Sequence, residues 1–523
     1  MKRLRQSLAV LAGAAVLSTL AVQGNAYGES ASGVRPEPVP LSAELEAVRA
    51  EQAVELYGSP EIRPREERST SQVAMGDSEM SGEGVGNYEP DTDRDGNWCH
   101  RSYDQALYRT GIETDEVFNI ACSGAASPHL VQGSGQSQWD EMNQGDNLAV
   151  KARNTNVKLI YVAVGANDTN GVEFGPVMTD CVTKRVLFQG ECWPTYTDDW
   201  SARVEVTRDG VANAVASIKN TMTEAGYLQE DFELVFMSYP TPMSPDVEDN
   251  PDFPGWYGGG CLGYLEDMAF GRNKAVPLFE RGVREAVLDQ GARYLDLSRL
   301  FDGHSVCEED TWARGLYIDL GAGLNEHALR QSFHPNYRGH GAFAECVTQF
   351  YDRPDLDTGT CVDVNYSGEP QLYEGLFSFQ DVQSGGYCMD AEGYNARYDT
   401  SLVAWDCHGG RNQGFRYDEG TQTIQIELSQ ARCVDIKGGD IAVGTELVLW
   451  KCTGTGNQRF IPDGGELKSA VDPALCVAFP EIEGDGLVMR HCGAEGTSVT
   501  WEDRAYSDPV GYGHDDWIGS MTY

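Results

Sequence analysis

Basic residues are scarce: 39 Lys and Arg stand against 81 Asp and Glu in 523 residues, a formal net charge of −42. Nucleic acids and anionic membranes are bound through clustered Lys and Arg, so this balance makes binding to either electrostatically unfavourable and favours a neutral substrate. A second long apolar run is also lacking. After residue 26 no stretch approaches the roughly 20 apolar residues that a membrane-spanning helix needs. The chain has 14 cysteines, yet no two of them form a CxxC pair. That leaves no metal or redox motif, and an even number of cysteines in an exported chain points to disulfides.

The one apolar run lies at the start. Lys2, Arg3 and Arg5 precede residues 8–22, and Gly24-Asn25-Ala26 then places small residues where a signal peptidase reads. Residues 1–26 are therefore expected to be a secretory signal peptide and the mature protein extracellular. Residues 27–69 are polar, with Pro36, Pro38, Pro40, Pro60 and Pro64 around one helical stretch at 41–57, and read as a leader. Over residues 70–352 apolar, β-branched runs alternate with helical patterns, as in a parallel α/β sheet. Strands are expected at 72–75, 157–164, 232–239 and 293–297. Helices are expected at 264–288, at 338–350 and where Val204, Val211, Val215, Ile218 and Met222 form one stripe. Residues 353–373 read as a linker, 374–505 as a second domain and 506–523 as a tail.

Gly76-Asp77-Ser78 closes the first apolar strand, and Gly124, Gly165-x-Asn167-Asp168 and His334-Pro335 follow in that order. A serine hydroxyl is a weak nucleophile at neutral pH, so acyl transfer needs a base for its proton and fixed donors for the oxyanion. His334 is the candidate base. The backbone N–H groups of Ser78 and Gly124, with the side-chain amide of Asn167, are the candidate oxyanion donors. All belong to the carboxyl edge of a parallel sheet, where such folds place their sites. His327 and His340 are the competing bases, and Asp77 and Asp168 read as structural. No cofactor and no metal is expected. Asp91-x-Asp93-x-Asp95-Gly96 matches the first half of a calcium loop, but position twelve is Ser102 rather than Glu, so a solvated acidic turn is the expected reading.

The order of these blocks resembles the SGNH (GDSL) hydrolase family. The segment from Gly76 to Gly84, Cys99-His100-Arg101-Ser102 and Ser332-Phe333-His334-Pro335-Asn336 resemble its secreted actinobacterial branch. The resemblance covers about residues 70–350 and implies a flavodoxin-like three-layer α/β fold with esterase, lipase or phospholipase A activity. The family usually has Asp three residues before the histidine, where this chain has Gln331. A Ser78–His334 dyad is therefore expected, with the carbonyl of Ser332 or Gln331 accepting Nδ1–H, and without an essential role for Glu326, Asp296 or Asp302.

Beyond about residue 352 the chain repeats itself. Cys388-Met389-Asp390, Cys433-Val434-Asp435 and Cys476-Val477-Ala478 open units spaced 45 and 43 residues apart, and Cys407, Cys452 and Cys492 follow at offsets of 19, 19 and 16. Three such units sharing one core resemble the ricin-B-type β-trefoil carbohydrate-binding module. The resemblance implies sugar contacts from Asp390, Trp405, His408, Asn412 and Gln413 in the first unit and from Asp435, Trp450, Asn457 and Gln458 in the second. An equally weighted reading has Gln413 and Gln458 merely bracing the fold. The third unit has Ala478, Arg490 and Val499 at these places and should be silent. The other cysteines are expected to pair with sequence neighbours: Cys99 with Cys122, Cys181 with Cys192, Cys261 with Cys307, and Cys346 with Cys361.

These readings lead to a secreted serine esterase with two partners, an ester substrate and a carbohydrate ligand. Deacylation of a polysaccharide such as acetylated xylan is the first expectation. A lipase or phospholipase A with a glycan-binding module is the second, and a non-catalytic lectin is the alternative of another class.

Overall fold

The computed structural model describes residues 35–243, 263–306, 308, 310–317, 329–363, 367–375, 379–394 and 396–503. The expected signal peptide, the C-terminal tail, Cys261, Cys307, Glu326 and His327 lie outside them. Seven strands form the first sheet: β1 (Thr70–Gly76), β2 (Glu116–Asn119), β3 (Asn156–Ala163), β4 (Glu233–Met237), β5 (Arg293–Asp296), β6 (Thr358–Val362) and β7 (Gln371–Glu374). Their order is β2-β1-β3-β4-β5-β6-β7. Pairing is parallel from β2 to β6, and only β7 runs antiparallel.

Successive residues of a strand point to opposite faces, and residues 159–163 of β3 are all buried, so the sheet is covered on both sides. This is a three-layer α/β fold with the flavodoxin-like order 2-1-3-4-5. Its topological switch point falls between β1 and β3. Helices α1 (Ala43–Tyr57), α3 (Gln144–Asn154), α5 (Trp200–Glu224) and α7 (Val276–Asp289) pack in succession, α1 on α3, α3 on α5 and α5 on α7. The stripe of Val204, Val211, Val215, Ile218 and Met222 is buried along α5. The helix expected at 264–288 is α6 (Leu265–Phe270) joined to α7 through one π turn, Gly271–Ala275. Pro277 accounts for the widened turn, because it lacks an N–H and its ring would clash with the carbonyl four residues back.

Two expectations change. The leader is not detached: α1 packs on α3, and its Arg49, only 2% exposed, donates to Asn154 Oδ1 and to the Pro60 carbonyl. Arg153 in turn donates to the Val39 carbonyl. Docking through buried arginines leaves no apolar stripe for a reader of the sequence to find. Likewise residues 353–373 are no linker, since β6 and β7 extend the sheet. Cys346 of α8 (Tyr337–Tyr351) is disulfide-bonded to Cys361 of β6. A Cβ on Gly359 would stand 2.8 Å from Leu372 and 3.1 Å from Phe350, so glycine is what lets α8 lie this close to the strand.

The second half is all β. Its three units share a core that includes Val382, Phe415, Val434, Phe460, Val477 and Met489. Each unit pairs its first strand with the next one antiparallel, with Cys388 opposite Trp405, Cys433 opposite Trp450 and Cys476 opposite Arg490. The disulfides Cys388–Cys407, Cys433–Cys452 and Cys476–Cys492 staple these hairpins. Cys99–Cys122 and Cys181–Cys192 also form, and the expected Cys261–Cys307 pair lies outside the described residues. Among the described residues no helix is long and apolar enough to cross a membrane.

Candidate functional site

β1 ends at Gly76 with φ +129°, and a Cβ there would stand 1.9 Å from the Ala163 carbonyl, so only glycine brings the chain this close to β3. Asp77 then caps the one-turn helix α2 (Ser78–Ser81), its Oδ1 accepting from the Glu79 amide at 3.2 Å. The cap leaves Ser78 at the first helical position, above the switch point. The loop after β2 is pinned beside it, because the Cys122 amide donates to the Gly76 carbonyl at 3.1 Å and the Cys99–Cys122 disulfide fixes the same turn. Gly124 sits in that turn with φ +82°. Asn167 follows β3, and its Nδ2 donates to the Ala125 carbonyl at 3.2 Å and lies 3.5 Å from Asp77 Oδ2. The three expected oxyanion donors thus come from the loops after β1, β2 and β3. The N–H groups of Ser78 and Gly124 donate to no partner among the described residues.

His334 arrives from the far end of the domain. The Arg314 amide donates to its carbonyl, Phe333 takes a left-handed φ of +64°, and Asn336 caps α8 directly after it. This turn presents His334 Nε2 to Ser78 Oγ at 2.8 Å and Nδ1 to the Ser332 carbonyl at 3.1 Å. Of the two carbonyls expected at Nδ1, the Ser332 oxygen takes the place. Burial lowers the His334 pKa, against the charge of Glu83 and the Ser332 carbonyl, which raise it. Burial thus favours the neutral imidazole, the form a general base requires.

The competing groups are otherwise engaged. His340 is fully buried with Nδ1 accepting from the Ala106 amide, and burial pushes its pKa down to about 3. Asp168 accepts from both the amide and the hydroxyl of Ser127, and burial raises its pKa to about 6. Asp77 Oδ2 accepts from Tyr239 Oη at 2.6 Å, and burial raises its pKa to about 7. Asp296 accepts from the Ser298 amide, and Asp302 pairs with Arg272 and Arg299. In the acidic loop, Asp93 lies 3.2 Å from His100 Nε2 and Asp91 lies 3.5 Å from Arg94. The pairing of Glu83 with His100 at 2.8 Å was not anticipated, although both residues fall in the blocks that carry the family resemblance.

In the trefoil, Asp390 Oδ2 accepts from Asn412 Nδ2 and Gln413 Nε2, each at 2.8 Å, and lies 3.3 Å from His408 Nε2. Asp435 Oδ2 accepts from Asn457 Nδ2 and Gln458 Nε2, also at 2.8 Å. Gln413 and Gln458 are both 0% exposed, which favours the bracing reading over direct sugar contact. Gln413 also donates to the Asp406 carbonyl and accepts from the His408 amide; Gln458 donates to the Lys451 carbonyl and accepts from the Thr453 amide. They brace the carboxylates from below. Trp405 and Trp450 keep 43% and 41% of their surface exposed, each two residues along its strand from the residue opposite the carboxylate, Val403 opposite Asp390 and Val448 opposite Asp435. In the third unit Ala478 and Val499 are buried in the core and offer neither carboxylate nor amide.

Two family models match the second half: the ricin-type beta-trefoil lectin domain over residues 423–508 and the ricin-type beta-trefoil lectin domain-like family over residues 366–450. The first half is similar to a Streptomyces rimosus protein named lipase, 24% identical over 294 residues, 55% of this chain and 89% of that protein. Among solved structures, an extracellular lipase from Streptomyces rimosus aligns with 52% of this chain and 94% of its own, at 20% identity and a TM-score of 0.33. Phospholipase A1 from Streptomyces albidoflavus NA297 aligns with 53% of this chain and 98% of its own, at 21% identity and a TM-score of 0.35. The C-half of the earthworm R-type lectin, solved in complex with GalNAc, aligns with 24% of this chain and 99% of its own, at 16% identity and a TM-score of 0.22.

Proposed function

We propose that this protein is an extracellular carboxylic ester hydrolase that works through an acyl-Ser78 intermediate and is held on glycans by its trefoil. The observation that carries the reading is the 2.8 Å contact from His334 Nε2 to Ser78 Oγ beside the unengaged amides of Ser78 and Gly124. As Oγ bonds the acyl carbon, its proton moves to Nε2, and the carbonyl oxygen becomes an oxyanion facing those amides and Asn167 Nδ2. The intermediate collapses, the alcohol leaves with the proton from Nε2, and water repeats the sequence to free the acid. The disulfides fit an oxidising extracellular setting.

Lipid esters are the substrate class we favour. Val186, Leu187 and Phe188 form an exposed apolar tip at the end of α4 (Phe174–Val186), with Phe188 76% exposed, and the Cys181–Cys192 bridge tethers it. Consecutive exposed apolar residues of this size fit a lipid interface better than a polysaccharide chain. The names lipase and phospholipase A1 on the related Streptomyces proteins support the same class. Glycan ester deacylation is the second reading, supported by two trefoil units that each carry an exposed Trp and a hydrogen-bonded Asp. A chain-length series of p-nitrophenyl esters, phosphatidylcholine vesicles and acetylated xylan, assayed with the full chain and with Ser78→Ala, separates them. Fatty acid release without acetate from xylan is expected. Acetate release alone transfers the activity to the glycan, and no turnover of any ester leaves a lectin.

A further inference from the structure

The acid that this fold lacks at position 331 has a counterpart elsewhere. Glu83 is fully buried, and both of its carboxylate oxygens meet His100 Nδ1, at 2.8 and 2.9 Å. His100 is itself buried, stacked on Tyr88 at 4.4 Å, and its Nε2 lies 3.2 Å from Asp93 Oδ1 as an ion-pair contact without a hydrogen bond. A charged chain of three groups, Asp93–His100–Glu83, therefore runs from the surface to the interior. With His100 protonated it carries one net negative charge, as a single carboxylate would.

Its inner end abuts the catalytic residues. The Glu83 amide donates to the Ser78 carbonyl at 3.1 Å. The next residue, Gly84, has φ +89°, and a Cβ there would stand 3.0 Å from His334 Cβ, so glycine is what lets this turn touch the histidine. Tyr88 Oη accepts from the Gly84 amide, and Arg314, whose amide holds the His334 carbonyl, donates through Nε to the Gly84 carbonyl. The Glu83 backbone is thus fixed between Ser78 and the Gly84 turn that touches His334, while its carboxylate is held by His100. Isolated buried carboxylates are rare because desolvation penalises their charge, so a paired one at this place calls for a function.

We propose that Glu83 is a positioning residue that supplies the negative charge missing at position 331, stabilising the His334 imidazolium that forms when Ser78 Oγ gives up its proton. It does not hold the Nδ1 proton, which faces the Ser332 carbonyl; it acts across Gly84. The electrostatics agree in direction. Burial would raise the Glu83 pKa, but the hydrogen bond and charge of His100, then His334 and Ser123, bring it below the usual value. Burial would likewise lower the His100 pKa, but Glu83 and then Asp93 raise it, against Arg330. At His334 the charge of Glu83 is the largest influence opposing burial, ahead of the main-chain carbonyls, while Arg330 works against it.

The proposal rests on the ester-hydrolysis reading, so its test uses one readout independent of turnover. The full chain is labelled with 15N-histidine, His334 is assigned from the resonances lost in His334→Ala, and its titration is followed in Glu83→Gln, Glu83→Asp and Asp93→Asn. Glu83→Gln is expected to lower the His334 pKa by about one unit and kcat on a short soluble ester about 10- to 100-fold, with KM within about twofold. The acid limb of kcat/KM should move to lower pH with it. Glu83→Asp should recover part of both effects, and Asp93→Asn should shift the titration less, in the same direction. A His334 titration in folded Glu83→Gln that superimposes on the wild type overturns the proposal. If Glu83→Gln does not fold, an unmoved titration in Asp93→Asn overturns it. A shifted titration in a protein that turns over no ester would leave the coupling standing and reject the hydrolase reading instead.

Discussion

His334 turns Nδ1 to the main-chain oxygen of Ser332 at 3.1 Å, where a carboxylate would complete a triad. A main-chain carbonyl fixes the tautomer and ring orientation as an acid does, but no side-chain substitution can remove it. His334→Ala and Ser78→Ala should each lower kcat by at least about 10³-fold on a short ester. Asp296→Ala and Asp302→Ala should lower it less than about tenfold per folded molecule. Asp302→Ala should still unfold early, because it strands Arg272 and Arg299 in a buried site, a loss of about 3–5 kcal/mol. Steady-state kinetics beside thermal unfolding separates the two effects, and an acid variant as inactive as His334→Ala would replace the dyad with a triad.

Asn167 is held by the Ala125 carbonyl at 3.2 Å, close to the Gly124 turn. Its amide is proposed to donate to charge that exists only once the tetrahedral intermediate forms. Asn167→Ala should therefore reduce kcat by about 10²–10³-fold and leave KM nearly unchanged. A rise in KM at constant kcat would instead make Asn167 a ground-state binding residue.

The parts of this molecule that were legible beforehand are those that signal locally. Apolar runs marked β1, β3, β4 and β5, the valine stripe marked α5, and cysteine spacing marked the three trefoil units. The order Ser78, Gly124, Asn167, His334 carried the candidate site, because the first three blocks follow strands and the fourth precedes a helix cap. What stayed hidden depends on distant partners. β6 is built on Thr-Gly-Thr-Cys-Val, too short and small to stand out until Gly359 meets Phe350. Arg49 looks like a surface residue until Asn154, 105 positions away, receives it. Glu83 reads as one of many acids in a strongly acidic chain, and only folding shows it to be buried against His100.

Stability should fall with acid partly through His340. Its folded pKa is about 3, lowered first by burial and then by the charges of Arg109 and His334, from an unfolded value of 6.5. The unfolded chain takes up this proton first, so the contribution is full above pH 6.5 and is lost progressively as pH falls toward 3. Asp77 and Asp168, raised to about 7 and 6, act with the opposite sign over much of that window. The comparison must therefore be between wild type and His340→Gln. Relative to wild type, the variant should gain in urea midpoint between pH 7 and pH 4. A constant difference across that range would mean that His340 protonates as readily folded as unfolded.

The trefoil separates residues proposed to touch a sugar from residues that hold the pocket, and the two should fail differently. Trp405 and Trp450 are exposed platforms, so Trp405→Ala or Trp450→Ala should weaken retention on a glycan polymer without changing the melting temperature. Each single variant should already lose the avidity of two linked sites, up to about 10²–10⁴-fold over one site alone, and the double variant should not be retained. Gln413 is fully buried and joins Asp390, the Asp406 carbonyl and the His408 amide. Gln413→Ala removes one hydrogen-bond partner from each of those groups and should destabilise the trefoil by about 1–3 kcal/mol. The second unit, with Trp450, should keep its affinity below the new melting temperature. Turnover of a short soluble ester should stay constant across all four variants, since Ser78 and His334 lie in the other half of the chain. Affinity electrophoresis in polysaccharide gels, run beside calorimetric unfolding, tests the distinction. A Gln413→Ala protein that loses sugar binding at an unchanged melting temperature would return Gln413 to the ligand side of the pocket.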